Sequence, residues 1–73
     1  MTNEQILNAL EDAIDVEQNS LTMDTLLSEI DEYDSMAKLS VIILADDDFG
    51  KKLTGERIRE FSSIGDIVNF LAS

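Results

Sequence analysis

The chain contains no proline and only three glycines in 73 residues. That shortage constrains its fold more than any other feature. A strand-rich domain of this size needs frequent tight turns, and glycine and proline supply most of them. Helices joined by loops remain. Hydrophobic residues make up 44% of the chain, enough for one core, and the length suits a single domain, residues 1–73. A chain this short buries only about 60% of its unfolded surface, so little stability is in reserve. Nothing staples it: with neither cysteine nor histidine, disulfides and Cys/His zinc sites are excluded.

Sixteen acidic and five basic residues give a formal net charge of -11. Phosphate neutralisation on a nucleic acid is disfavoured, as is docking on an anionic membrane. Basic proteins are the favoured partners. No Lys or Arg precedes Lys38. No apolar run approaches the length of a membrane span, and the opening MTNEQ is polar and acidic, unlike a signal peptide. The expectation is a cytoplasmic monomer.

In TNEQILNALEDAI, Ile6, Leu7, Leu10, Ala13 and Ile14 recur on one helical face. Thr2 and Gln5 have capping-box spacing, and Glu4, Glu11 and Asp12 are expected on the outer side. From about Glu17 to Asp34 the pattern breaks. A loop this long is uncommon in a small domain, and Leu26, Leu27 and Ile30 are its expected anchors. A second helix is expected to start at or just after Ser35 and to run to about Asp48. Ser35 would be its N-cap, with Asp34 complementing the helix dipole. Val41, Ile42, Ala45 and Phe49 form one apolar side, and Met36, Leu39 and Ile43 another. A helix apolar nearly all round buries more than one face or offers one to a partner.

Gly50 is placed to end that helix, and Leu53 should point inward. A short third helix should span about Glu56 to Glu60, after Thr54 and Gly55. A last helix should follow the capping pair Ser63 and Asp66, with Ile64, Ile67, Val68 and Leu71 inside. Gly65 in its first turn costs some helix propensity.

An EF-hand reading of ADDDFGKKLTGE puts Ala45 and Phe49 at ligand positions, where neither can coordinate calcium. Asp47 and Asp48 point apart on a helix and read as solvated surface. A hydrolase reading of Ser35 fares no better. No histidine exists to activate it, and no G-x-S-x-G surrounds it. Lys38 lies one turn on, but so small a chain cannot build a substrate pocket and oxyanion hole around the pair. Ser35 is therefore a plain helix cap or an attachment point.

The triplet DSM at Asp34–Met36 resembles the D-S-L/M signature of acyl carrier proteins and the related peptidyl carrier domains. The resemblance covers nearly the whole chain: a first helix, a long anchored loop, DSM opening a helix that ends in DDDFG, a short third helix, and a last helix after FSSIGD. It implies an all-α, four-helix bundle with a short third helix and a long first loop, and no catalysis by the chain itself. It also implies that Ser35 carries covalent 4'-phosphopantetheine, delivered from coenzyme A by a phosphopantetheinyl transferase that uses magnesium. Acyl groups would ride as thioesters on the thiol of that arm, which the cysteine-free chain cannot supply. Asp34 would help dock the transferase. Met36, Leu39 and Ile43 would be the apolar contacts of a recognition helix, and the core side of that helix would line a shelter for an acyl chain. Partners would be acyl-loading, condensing or acyl-transferring enzymes with basic docking patches.

Three positions depart from the housekeeping fatty-acid type. Tyr33 stands where Gly is usual, and Lys38 and Ser40 stand where the recognition helix is often more acidic. They point to a specialised free-standing acyl carrier, with Tyr33 as an added partner contact. An aminoacyl or peptidyl carrier is the alternative. The reading from another class is an acidic helical adaptor in which Ser35 is only a cap.

Overall fold

The computed structural model describes residues 2–73; Met1, the first residue of the polar opening, lies outside them. Its helices are α1 (Asn3–Ile14), α2 (Ser35–Phe49), α3 (Gly55–Arg59) and α4 (Ile64–Ala72), with one 3-10 turn at Leu27–Glu29 in the first loop. Among the described residues there is no strand, only an isolated bridge between Leu26 and Ser63. The all-α expectation, with its long first loop and short third helix, holds.

Thr2 and Gln5 close the capping box of α1, each side chain accepting from the other's backbone N–H. Ile6, Leu10 and Ile14 are buried, while Leu7 and Ala13 are half-buried. Glu11 corrects the outer-side reading, because it is 0% exposed. Its Oε2 accepts the Leu21 N–H at 3.0 Å, and its Oε1 is buried without a partner. The physical reason is that the first loop covers this flank of α1. A buried loop N–H needs an acceptor, and a long side chain on the helix beneath provides one.

The loop is pinned by Leu21 and Leu27, both buried, with Met23 and Ile30 packed against the core. Leu26, an expected anchor, is instead 44% exposed. Its backbone is extended (φ -82°, ψ 136°), and successive side chains of an extended segment point to opposite sides. With Leu27 inward, Leu26 faces out. The loop is also clipped to the start of α4. Leu27 N–H donates to the Ser62 carbonyl at 2.9 Å, Ile64 N–H to that of Thr25 at 2.8 Å, and Gly65 N–H to that of Met23 at 2.9 Å. A Cβ on residue 65 would lie 2.7 Å from the Met23 carbonyl oxygen. Gly65 is therefore a packing requirement of this crossing.

The helices close over a core that includes Ile6, Leu10, Val41, Ala45, Leu53, Ile58, Ile64, Ile67, Val68 and Leu71. Gly50 ends α2 at φ 62°, where the left-handed conformation suits glycine. Phe49 is half-buried at the edge of the core. α4 opens with the reciprocal Ser63–Asp66 box and buries all four expected apolar residues.

Candidate functional site

The first loop delivers the chain to the N-terminus of α2. The cap there is Asp34, not Ser35. Asp34 is extended (φ -103°, ψ -168°), and its carboxylate accepts the Ala37 N–H at 2.9 Å. Ser35 is the first residue inside the helix. Aspartate caps as well as serine does, and its charge adds a favourable interaction with the helix dipole. The consequence for Ser35 is direct. Its side chain is exposed and is not the group that caps the helix.

α2 buries Ala37, Val41 and Ala45. On the opposite side Met36 is 71% exposed, and Leu39 and Ile43 are each 51% exposed. The second apolar stripe is thus bare, and it begins one residue from Ser35. Asp46 and Asp47 are exposed further along the same helix.

Tyr33 is half-buried, and its hydroxyl is buried without a hydrogen-bond partner. Burial pushes the phenol above its ordinary pKa of 10.0. The Lys38 ammonium stands 5.7 Å from the ring centroid, within cation–π range. The ring is thus engaged by the fold on one side and by Lys38 on another, so only part of it can meet a partner.

Beside Ser35, on the α3 flank of α2, runs an open groove of about 400 Å³. Lys38, Leu39, Ile42, Gly55, Ile58 and Arg59 line the rest of it. Val41 and Ala45, on the core side of α2, are 0% exposed. The groove beside Ser35 is lined by residues of α2 and α3. Sequence reasoning missed Ile58 and Arg59 as neighbours of Ser35. Helical spacing puts Ile58 inside, but only the packing of α3 against α2 puts it beside residue 35.

The site offers an exposed primary alcohol, a carboxylate one residue before it, a bare apolar stripe and a groove. It has no histidine and no cysteine. This chemistry suits a group acted on by other proteins better than a group that attacks a substrate. Among the described residues, no group of three or more Asp, Glu, His or Cys is placed to hold a metal ion, and no helix is long and apolar enough to cross a membrane.

A four-helix chain with a long first loop and a short third helix has the build of the acyl carrier type. The chain is 26% identical over 76 residues to the acyl carrier protein of Arthrobacter sp. (strain FB24), covering 99% of this chain and 94% of that protein. The same identity and coverage hold for the acyl carrier protein of Paenarthrobacter aurescens (strain TC1). For that of Renibacterium salmoninarum the identity is 24%, with the same coverage. These likenesses, low in identity but nearly complete in length, support the acyl carrier protein family and a carrier role in general. No family model matches the chain, and no solved structure matches it.

Proposed function

We propose that this protein is a specialised acyl carrier. It holds acyl groups as thioesters on 4'-phosphopantetheine attached to Ser35 and presents them to partner enzymes in the cytoplasm. One observation carries the reading: Asp34 takes over the cap of α2, so the serine of the DSM triplet stands exposed at the helix start with its hydroxyl available. The residues around Ser35 fit the arm. An exposed helix start leaves room for a bulky substituent, and a groove with two cations adjoins it. When attached, the arm supplies the thiol that the chain lacks.

The other roles fall to the chain's own side chains. Asp34 fixes the orientation of Ser35 through the Ala37 N–H and gives a basic transferase a charge to meet. Met36, Leu39 and Ile43 form the docking stripe, with Asp46 and Asp47 as its acidic end. An apolar centre with a charged rim is the usual anatomy of a transient interface. Lys38 and Ser40 change the charge at the other end of α2, where a partner with a basic patch would meet a cation. Like charges across an interface are costly and filter partners. This favours a dedicated pathway over bulk fatty-acid synthesis.

The test follows the cargo. Protein incubated with radiolabelled acetyl coenzyme A and a broad-specificity phosphopantetheinyl transferase should acquire label that hydroxylamine releases, as a thioester requires. Ser35→Ala should acquire none. Label that resists hydroxylamine, or equal labelling of the variant, would refute the reading.

A further inference from the structure

We propose that Lys38, steadied by the Tyr33 ring, is a positioning residue for the arm: its ammonium pairs with the phosphodiester attached to Ser35 and holds the root of the arm against the start of α2. This rests on the carrier reading above and adds to it a role for two residues of this chain, whatever group the arm carries.

The geometry comes from one turn of helix. Lys38 N–H donates to the Asp34 carbonyl at 3.0 Å, so the first turn of α2 is closed. Residues three apart on a helix are neighbours, with Cβ atoms about 5–6 Å apart. Lys38 is therefore the neighbour of Ser35 on the next turn. Long side chains on a helix lean back toward its N-terminus, and Lys38 does so: its ammonium stands 5.7 Å from the ring centroid of Tyr33, a residue that precedes the helix. A side chain rooted one turn beyond Ser35 and ending at a residue before it brings its charge back to the helix start. Lys38 is half-buried in this arrangement, whereas Ser35 is exposed.

The electrostatics favour the same pairing. A phosphodiester on the Ser35 oxygen is negative at neutral pH, and its neighbourhood is acidic: Asp34 precedes Ser35, and Asp34, Glu32 and Asp15 line one groove beside the start of α2. Lys38 is the one basic residue of α2. The Tyr33 ring attracts its ammonium without neutralising it, so the charge remains open to an anion. The ring also prepares the pairing. A lysine gives up side-chain freedom to hold an ion pair, and a contact that already restrains it lowers the cost of the next one. The Tyr33 hydroxyl is buried without a hydrogen-bond partner. Tyr33→Phe therefore keeps the ring and breaks no hydrogen bond, while Tyr33→Leu removes the ring.

The test compares melting before and after loading. Full chains of the parent, Lys38→Gln, Lys38→Arg, Arg59→Gln, Tyr33→Phe and Tyr33→Leu receive the bare arm from coenzyme A, with loading checked by intact mass. Comparing changes on loading cancels what each substitution does to the unloaded protein. At about 0.01 M salt the change in melting temperature should be more favourable in the parent than in Lys38→Gln by roughly 2–4 °C, the scale of a partly exposed ion pair in so small a domain. At 1 M salt, where the screening length is about 3 Å, this advantage should shrink toward zero. Lys38→Arg and Tyr33→Phe should keep it, and so should Arg59→Gln, which makes the same change of charge on α3. Tyr33→Leu should lose part of it. The phosphorus-31 resonances of the loaded parent and loaded Lys38→Gln should differ at low salt and converge at high salt, a signature that a merely structural lysine would not give. Equal changes on loading in the parent and Lys38→Gln would overturn the pairing, as would a loss of the advantage in Arg59→Gln. A full advantage in Tyr33→Leu would overturn the part given to the ring. A parent that takes up no arm would instead overturn the carrier reading, and this inference with it.

Discussion

Helix propensity alone predicts that Gly65→Ala stabilises the protein. Glycine in a helix is about 1 kcal/mol worse than alanine, and residue 65 lies in the first turn of α4. The crossing of loop and helix reverses the sign. The added Cβ would sit 2.7 Å from the Met23 carbonyl oxygen, inside any normal carbon–oxygen contact. That oxygen cannot easily retreat. It accepts the Gly65 N–H, and two neighbouring bonds, Ile64 N–H to Thr25 and Leu27 N–H to Ser62, hold the same stretch of loop. Relief therefore means loosening the clip. Overpacking of this kind costs about 1–3 kcal/mol, and weakening one hydrogen bond costs about 0.5–1.5 kcal/mol more. Against a propensity gain of about 1 kcal/mol, the net is a destabilisation of roughly 0.5–3.5 kcal/mol. In a domain of this size each kcal/mol moves the melting temperature by about 4–8 °C. Circular dichroism melts of the unmodified protein and the variant provide the assay. Gly55→Ala is the control, since residue 55 opens α3 and a Cβ there meets nothing within 4 Å; with the propensity gain unopposed, its melting point should hold or rise. A Gly65→Ala protein that melts at or above the parent would refute the packing account.

Glu11→Ala leaves the Leu21 N–H without its acceptor, at a cost of about 1–3 kcal/mol. Hydrogen exchange at Leu21 should quicken with the loss of stability, and unchanged exchange there would deny the clamp. Asp66 accepts from the backbone N–H groups of Ser62 and Ser63 at 2.8 and 3.2 Å, which hold its carboxyl below its ordinary value of 3.8. A lowered folded value means that its contribution is fully present above the unfolded pKa and is lost as pH falls through the folded one. Melts between about pH 5 and pH 2 should show the parent converging on Asp66→Asn; a constant gap would contradict this. Lys38→Glu with Ser40→Glu should speed malonyl loading by a fatty-acid malonyl transferase, mostly at low salt, and no gain would argue against charge filtering by α2.

Much of the fold was legible because it rests on local chemistry. The Thr2–Gln5 and Ser63–Asp66 boxes, the Gly50 stop and the inward face of α4 each follow from spacing within one turn or two. Where expectation and structure part, the cause lies in contacts between distant segments. Glu11 is buried because a loop ten residues later crosses it, and Leu26 faces out because Leu27 does not. Gly65 looked like a weak helix residue until Met23 was brought against it. The same division holds at the site. That Met36, Leu39 and Ile43 form a second apolar stripe was readable from α2 alone, but that this stripe is the bare one needed the packing of the other helices against Ala37, Val41 and Ala45. That Asp34 and not Ser35 caps the helix was a choice between adjacent good caps, which spacing does not settle. The approach of Lys38 to the Tyr33 ring, and the groove that Ser35 and Arg59 both line, needed the packing of α2 against its neighbours.

Ser35, relieved of capping by Asp34, is proposed as the one attachment point for a phosphopantetheine arm. The most direct measurement is the intact mass of the protein after incubation with coenzyme A, magnesium and a broad-specificity phosphopantetheinyl transferase, followed by fragmentation to locate the added group. The expected result is a single phosphopantetheine on Ser35, with Ser35→Ala unchanged in mass under the same conditions. No added mass, or a modification found on Ser20, Ser62 or Ser63, would contradict it.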